Sequence, residues 1–186
     1  MKKTKIVGAI LGVTIFIVMV IGITYAWFTW QSSNVNIAGG SECFTIDYGI
    51  SQEIGANQAA GLTFGESYTD GLYAVVTLGL NSLCSNISGS GKLYLNTNTA
   101  GTDTEILGGA LKYTVVRVNG ATKTAVANGA ITSTNRITLL DNINLTSLSG
   151  TYTYEVWVWL DGNIADNNYY GKEYSGYISA EANQVE

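Results

Sequence analysis

From residue 42 onward the large apolar side chains recur at every second position, and this period constrains the fold more than any other feature of the chain. In Phe44-Thr-Ile46-Asp-Tyr48-Gly-Ile50 one face of an extended segment is apolar and the other is not. A helix would scatter the same residues around its axis. Leu72, Ala74, Val76, Leu78 and Leu80 repeat the alternation, as do Leu93 and Leu95. Leu111, Tyr113 and Val115 stand opposite Val116 and Val118, as in a strand covered on both sides. Ile137–Leu140, Ile143–Leu148, Tyr152–Leu160 and Tyr177–Ala180 complete the set. Turn signals separate them: Ser88-Gly-Ser-Gly91, Asn119-Gly120 and Asp161-Gly162. Residues 51–70 have no clear period and are left without an assignment. Eight to ten short strands at this spacing predict an all-β fold over 41–186, a jelly-roll-like β-sandwich. No long internal repeat is visible, which argues against a solenoid or propeller.

What precedes the strands is of another kind. Lys2, Lys3 and Lys5 lead into an apolar run, Ile6–Ile23, and no further charge follows until Glu42. A basic stretch before an apolar one is read by export machinery, with the lysines held on the cytoplasmic side. As a helix the run would span roughly 27 Å, close to the bilayer core. It is long for a cleaved signal, so 1–26 is either a signal peptide or a membrane anchor acting through residues 6–23. In both cases the remainder is expected to be secreted or displayed at the cell surface. Cleavage is expected between Ala26 and Trp27, which requires a signal peptidase as a processing partner.

The boundary residues Thr24-Tyr25-Ala26-Trp27-Phe28-Thr29 resemble the signal-peptide end of the TasA/camelysin family of Gram-positive exported matrix proteins. Trp30 departs from that pattern, which usually has Asp there. The resemblance implies an exported structural protein that assembles itself into fibres or extracellular matrix, as in a biofilm. The family is thought to polymerise by strand donation. Residues 27–40 would then be an extension whose Trp27, Phe28, Trp30, Val35 and Ile37 either fold back on their own sandwich or lie along an open edge of the next subunit. Gly39-Gly40 would be its hinge. The competing reading is a membrane-anchored monomeric surface domain that binds glycan or protein.

Composition narrows the chemistry. The 186 residues include no His, so the commonest general base and metal ligand are both missing. Ser and Thr are plentiful, but a nucleophile needs an adjacent base. No catalytic residue and no cofactor is therefore expected, and the family's described metalloprotease activity finds no HExxH here. At about 5% Pro roughly nine prolines would occur; there are none, which excludes Pro-rich stalks. Without residues 1–26, six basic and fourteen acidic side chains remain, a net charge of −8. Such a chain has no basic patch for nucleic acid.

Three further groups stand out. Cys43 and Cys84 are the only cysteines; outside the cytoplasm they are expected to form a disulfide, the alternative being two buried thiols. Asp161, Asn163 and Asp166 offer oxygen ligands to Ca²⁺, or are merely an Asx-rich turn. Trp157 and Trp159 share one face of the strand Tyr152–Leu160, opposite Tyr152, Tyr154, Val156 and Val158. They are either a contact surface or are buried, in the core or under a covering loop.

Overall fold

The computed structural model describes residues 43–56, 58, 62–84 and 86–185. The apolar run 6–23, the Ala26–Trp27 boundary and the extension residues Trp27, Phe28, Trp30, Val35 and Ile37 lie outside them. Among the described residues the fold is all-β, with nine strands in two antiparallel sheets and only short 3₁₀ turns between them. No helix of the described residues is long and apolar enough to cross a membrane.

The larger sheet contains β1 (Phe44–Asp47), β2 (Phe64–Gly65), β3 (Leu72–Leu80), β5 (Leu111–Asn119), β6 (Thr122–Ala130) and β8 (Thr151–Asp161). Its order is β1-β3-β8-β5-β6, and the two residues of β2 pair in parallel with the end of β8. The smaller sheet has three strands in the order β7-β4-β9, where β4 is Ser88–Thr97, β7 Ile137–Thr146 and β9 Gly176–Val185. Between the sheets lies one core, and the alternation predicts its members well. Leu72, Ala74, Val76 and Leu78 face inward from β3, Val156, Val158 and Leu160 from β8, Leu93 and Leu95 from β4, and Ile178 from β9. Burying each large aliphatic side chain contributes about 1.5–3 kcal/mol.

The differences from the sequence reading have local causes. Ser88–Gly91 is no turn but the start of β4. Gly89 stands where a Cβ would come within 2.3 Å of the Phe44 ring, so its missing side chain makes room for a core aromatic. Ile137–Leu140 and Ile143–Leu148 are not two strands; Ile137–Thr146 is one strand, interrupted by a bulge at Asn142, whose φ is +61°. β6 escapes the pattern because Thr-Lys-Thr-Ala-Val-Ala-Asn-Gly-Ala contains almost no large apolar residue. The β5–β6 hairpin closes through Gly120-Ala121, and Gly120 takes the positive φ of +58° that so tight a loop needs.

Cys43 and Cys84 form a disulfide with a Cα–Cα distance of 5.5 Å. It joins the start of β1 to the β3–β4 connection, where Asn81 N–H also donates to the Cys43 carbonyl at 2.7 Å. On the outer surface of the smaller sheet Arg136 stacks on Tyr94 and pairs with Glu181, and Tyr94 Oη donates to the same carboxylate at 3.0 Å. This clamp ties β4, β9 and the residue preceding β7 together. The Arg136 guanidinium, with help from Tyr94, holds the Glu181 carboxyl below its usual range.

Burial pushes the Tyr174 phenol up to about 12. Thr97 Oγ1 beside it acts in the opposite direction, and neither oxygen has a hydrogen-bond partner. The ionised form is thus disfavoured in the folded state. Stability should be unaffected by this group well below pH 10 and should fall by roughly 2–3 kcal/mol as pH rises towards 12. Denaturant titrations at pH 9 and pH 11.5 check this: Tyr174→Phe should lose less stability between them than the parent chain, and an equal loss would refute the assignment.

Candidate functional site

Two features lie outside the core: the margin of β9, which is open beyond Ala180, and the outer face of the larger sheet.

A three-stranded sheet opposes a larger one, and β9 forms one of its margins. β9 pairs with β4 over all ten residues without a register shift. On the other side, Ile178 N–H donates to the Gln52 carbonyl and Ile54 N–H to the Gly176 carbonyl, so these backbone groups of β9 point away from β4. Ala180 N–H points the same way and is taken up by the Tyr48 hydroxyl at 2.9 Å. By the two-residue period, Ala182 and Gln184 also direct their amides outward, and no partner for them occurs among the described residues. The margins at β6 and β7 differ. β6 is bulged opposite Val115–Val116, and β7 carries the bulge at Asn142 beside the exposed Asp141–Lys92 pair. Bulges and edge charges block the addition of further strands. The β9 margin from Ala182 to Gln184 has no bulge.

The outer face of the larger sheet is built around β8. Trp157 and Trp159 share this face, as the alternation predicts, but they are not equivalent. Trp157 is only 8% exposed. Tyr73 stacks on it with ring centroids 4.4 Å apart, and Tyr68 meets it edge-on at 5.8 Å. Its indole N–H donates to the buried Glu155 carboxylate, which also pairs with Lys123 at 2.7 Å. Trp157 therefore lies beneath a covering segment, and any contact role of the pair falls to the half-buried Trp159. Lys112 Nζ lies 5.8 Å from the centroid of the Trp159 ring.

The covering segment is the 3₁₀ turn Tyr68–Asp70, which sequence alone left unassigned. Ser67 caps it by accepting from Thr69 N–H, and Asp70 accepts in return from Ser67 N–H. Gly71 follows, where an added Cβ would lie 2.3 Å from the Val158 carbonyl; the chain here rests directly on β8. Beside this turn opens a trough of about 480 Å³, lined chiefly by Tyr68, Lys112, Thr114, Ala125, Asn128 and Trp159. Except for Trp159, sequence reasoning missed these residues. The available signal was the second face of β5, where Lys112 and Thr114 alternate with Leu111, Tyr113 and Val115.

The Asp161 loop closes one end of this face. The Asp161 carboxylate is buried and pairs with Lys112, while its other oxygen accepts from Asn163 N–H and Nδ2. Lys112, followed by the Asn163 amide, holds its carboxyl below the usual range. Asp166 turns away to cap the 3₁₀ turn Asn167–Tyr169 by accepting from Asn168 N–H. The three oxygen-bearing residues thus serve local turns and an ion pair. Among the described residues no cluster of three or more acidic or sulfur side chains is placed to hold a metal. Lys92, Lys112, Lys123 and Lys172 each pair with a carboxylate and are at least 29% exposed, so none offers the buried amine that an isopeptide cross-link requires.

A scan against protein-family models gives no match, and a search of curated proteins gives none either.

Proposed function

We propose that this chain is an exported, non-enzymatic surface subunit that assembles head-to-tail into fibres or matrix. In this reading residues 6–23 form the export helix, processing follows Ala26, and Trp27–Ile37 is a donor strand that completes a neighbouring copy. One observation carries it: the smaller sheet has three strands, and its β9 margin is unbulged where its own β7 margin and the larger sheet's β6 margin are bulged. The sandwich is read as a jelly roll with one strand to be supplied. The chain crosses between sheets at β3–β4, β4–β5, β6–β7, β7–β8 and β8–β9, which supports that topology. A donated strand beside β9 would bring the smaller sheet to four.

The energetics favour such use of the extension. Trp27, Phe28, Trp30, Val35 and Ile37 are costly to leave in water at about 1.5–3 kcal/mol for each large side chain. Addition to an edge gives main-chain hydrogen bonds together with pockets for alternate side chains. Repeated between identical copies, a head-to-tail contact that does not close into a ring yields an open filament. Deleting Trp27–Asn36 should leave a domain with unchanged circular dichroism that no longer polymerises by electron microscopy or light scattering. Normal filaments from the truncated chain would refute strand donation.

A further inference from the structure

We propose that the trough on the outer face of the larger sheet binds a neutral pyranose ring of an oligo- or polysaccharide. It lies on the sheet that does not contain β9, and its chemistry stands independently of assembly.

Four properties of the trough point to this class. First, Tyr68 and Trp159 supply aromatic rings. The C–H groups on one face of a pyranose are apolar and slightly positive, and they pack on the negative face of an aromatic ring. Second, the Thr114 hydroxyl and the Asn128 carboxamide line the same space without a hydrogen-bond partner among the described residues. Each can both donate and accept, which suits sugar hydroxyls that also do both. Third, the charges are already matched: Lys112 pairs with Asp161 and Lys123 with Glu155. An ionic ligand would have to break one of these pairs, whereas a neutral one can take a spare N–H of the Lys112 ammonium. Fourth, apart from Asn128 the edge strand contributes only small groups here, Ala125, Gly129 and Ala130. Larger β-formers at those positions would fill the space.

Size separates the ligand classes. About 480 Å³ lies within the range of small-molecule sites. A stable protein partner covers roughly 800 Å² on each side, far more than this depression offers. The wall is rigid where it matters, since Tyr68 is held by the capped turn over Trp157, and Trp157 is in turn fixed by Tyr73 and Glu155.

The test titrates the full-length chain with maltotriose, cellotriose and chitotriose, followed by calorimetry and tryptophan fluorescence. At least one is expected to bind with a dissociation constant in the millimolar range or tighter. Ala125→Arg puts a long side chain into the trough from an exposed edge position, so it should weaken binding at least about tenfold. Asn128→Ala, also exposed, should weaken it severalfold, and both variants should retain the parent circular dichroism. Absence of binding by all three sugars at millimolar concentration overturns the proposal. So does binding that Ala125→Arg leaves unchanged. Capture of a protein that Ala125→Arg abolishes, with no sugar bound, would overturn it in favour of a protein-docking face.

Discussion

Replacing Cys43 and Cys84 together by serine is expected to lower the unfolding free energy by about 4 kcal/mol. The bridge joins residues 41 apart, and loop-closure entropy in the unfolded chain for a ring of that size gives this magnitude. The position of the bridge makes the loss consequential. β1 has only four residues, and β3 is its sole strand partner among the described residues. Yet Phe44 and Ile46 of β1, with Tyr48 just after it, are buried in the core. Without the bridge this short margin is retained by its ladder, its apolar contacts and the Tyr48–Ala180 hydrogen bond. Urea unfolding of the oxidised parent and the double variant decides the point. At a slope near 2 kcal/mol per molar, the midpoint should fall by about 2 M. A shift under about 0.5 M would mean that the bridge contributes little.

The same margin illustrates how far the sequence could be read. Period-two alternation located β1, β3, β5 and β8 because each places large apolar side chains at every second position on the face that packs in the core, even where, as in β8, the other face is covered as well. It could not locate β6, whose exposed Thr, Lys, Asn and Ala side chains carry no hydrophobic signal. It divided β7 because Asp141-Asn142 interrupts the apolar run, whereas in the sheet Asn142 adopts a left-handed bulge and the strand continues. Ser88–Gly91 misled in the opposite sense: glycine marks a turn in isolation, but here it admits the Phe44 ring. The shared face of Trp157 and Trp159 was legible from spacing alone. What covers Trp157 was not, because Tyr68 belongs to a stretch without periodicity and reaches β8 only through tertiary packing. The trough likewise joins residues from β5, β6, β8 and a 3₁₀ turn, separated by up to about ninety positions, and local pattern contains no such juxtaposition.

A proline at Gln184 is expected to abolish fibre growth while leaving the subunit folded. The amides of Ile178 and Ala180 point away from β4, so the amide of Gln184 does too, and losing it removes no bond from the β4–β9 ladder. Gln184 is exposed, and an edge position whose N–H faces outward is one of the few strand sites that tolerates proline. An incoming strand, however, would lose a donor there and meet the pyrrolidine ring in its path. Asn183→Pro is the matched control. Its amide faces β4 opposite Ser90, so it should destabilise the subunit itself. The expected pattern is therefore crossed: Gln184→Pro melts close to the parent and forms no filaments, while Asn183→Pro melts clearly lower. Thermal melts and seeded elongation followed by light scattering read both quantities. If Gln184→Pro elongates at the parental rate, β9 is not the acceptor edge. The remaining unbulged margin, β1, would then be the place to look, and its bridge to Cys84 at one end makes that margin the more firmly held of the two.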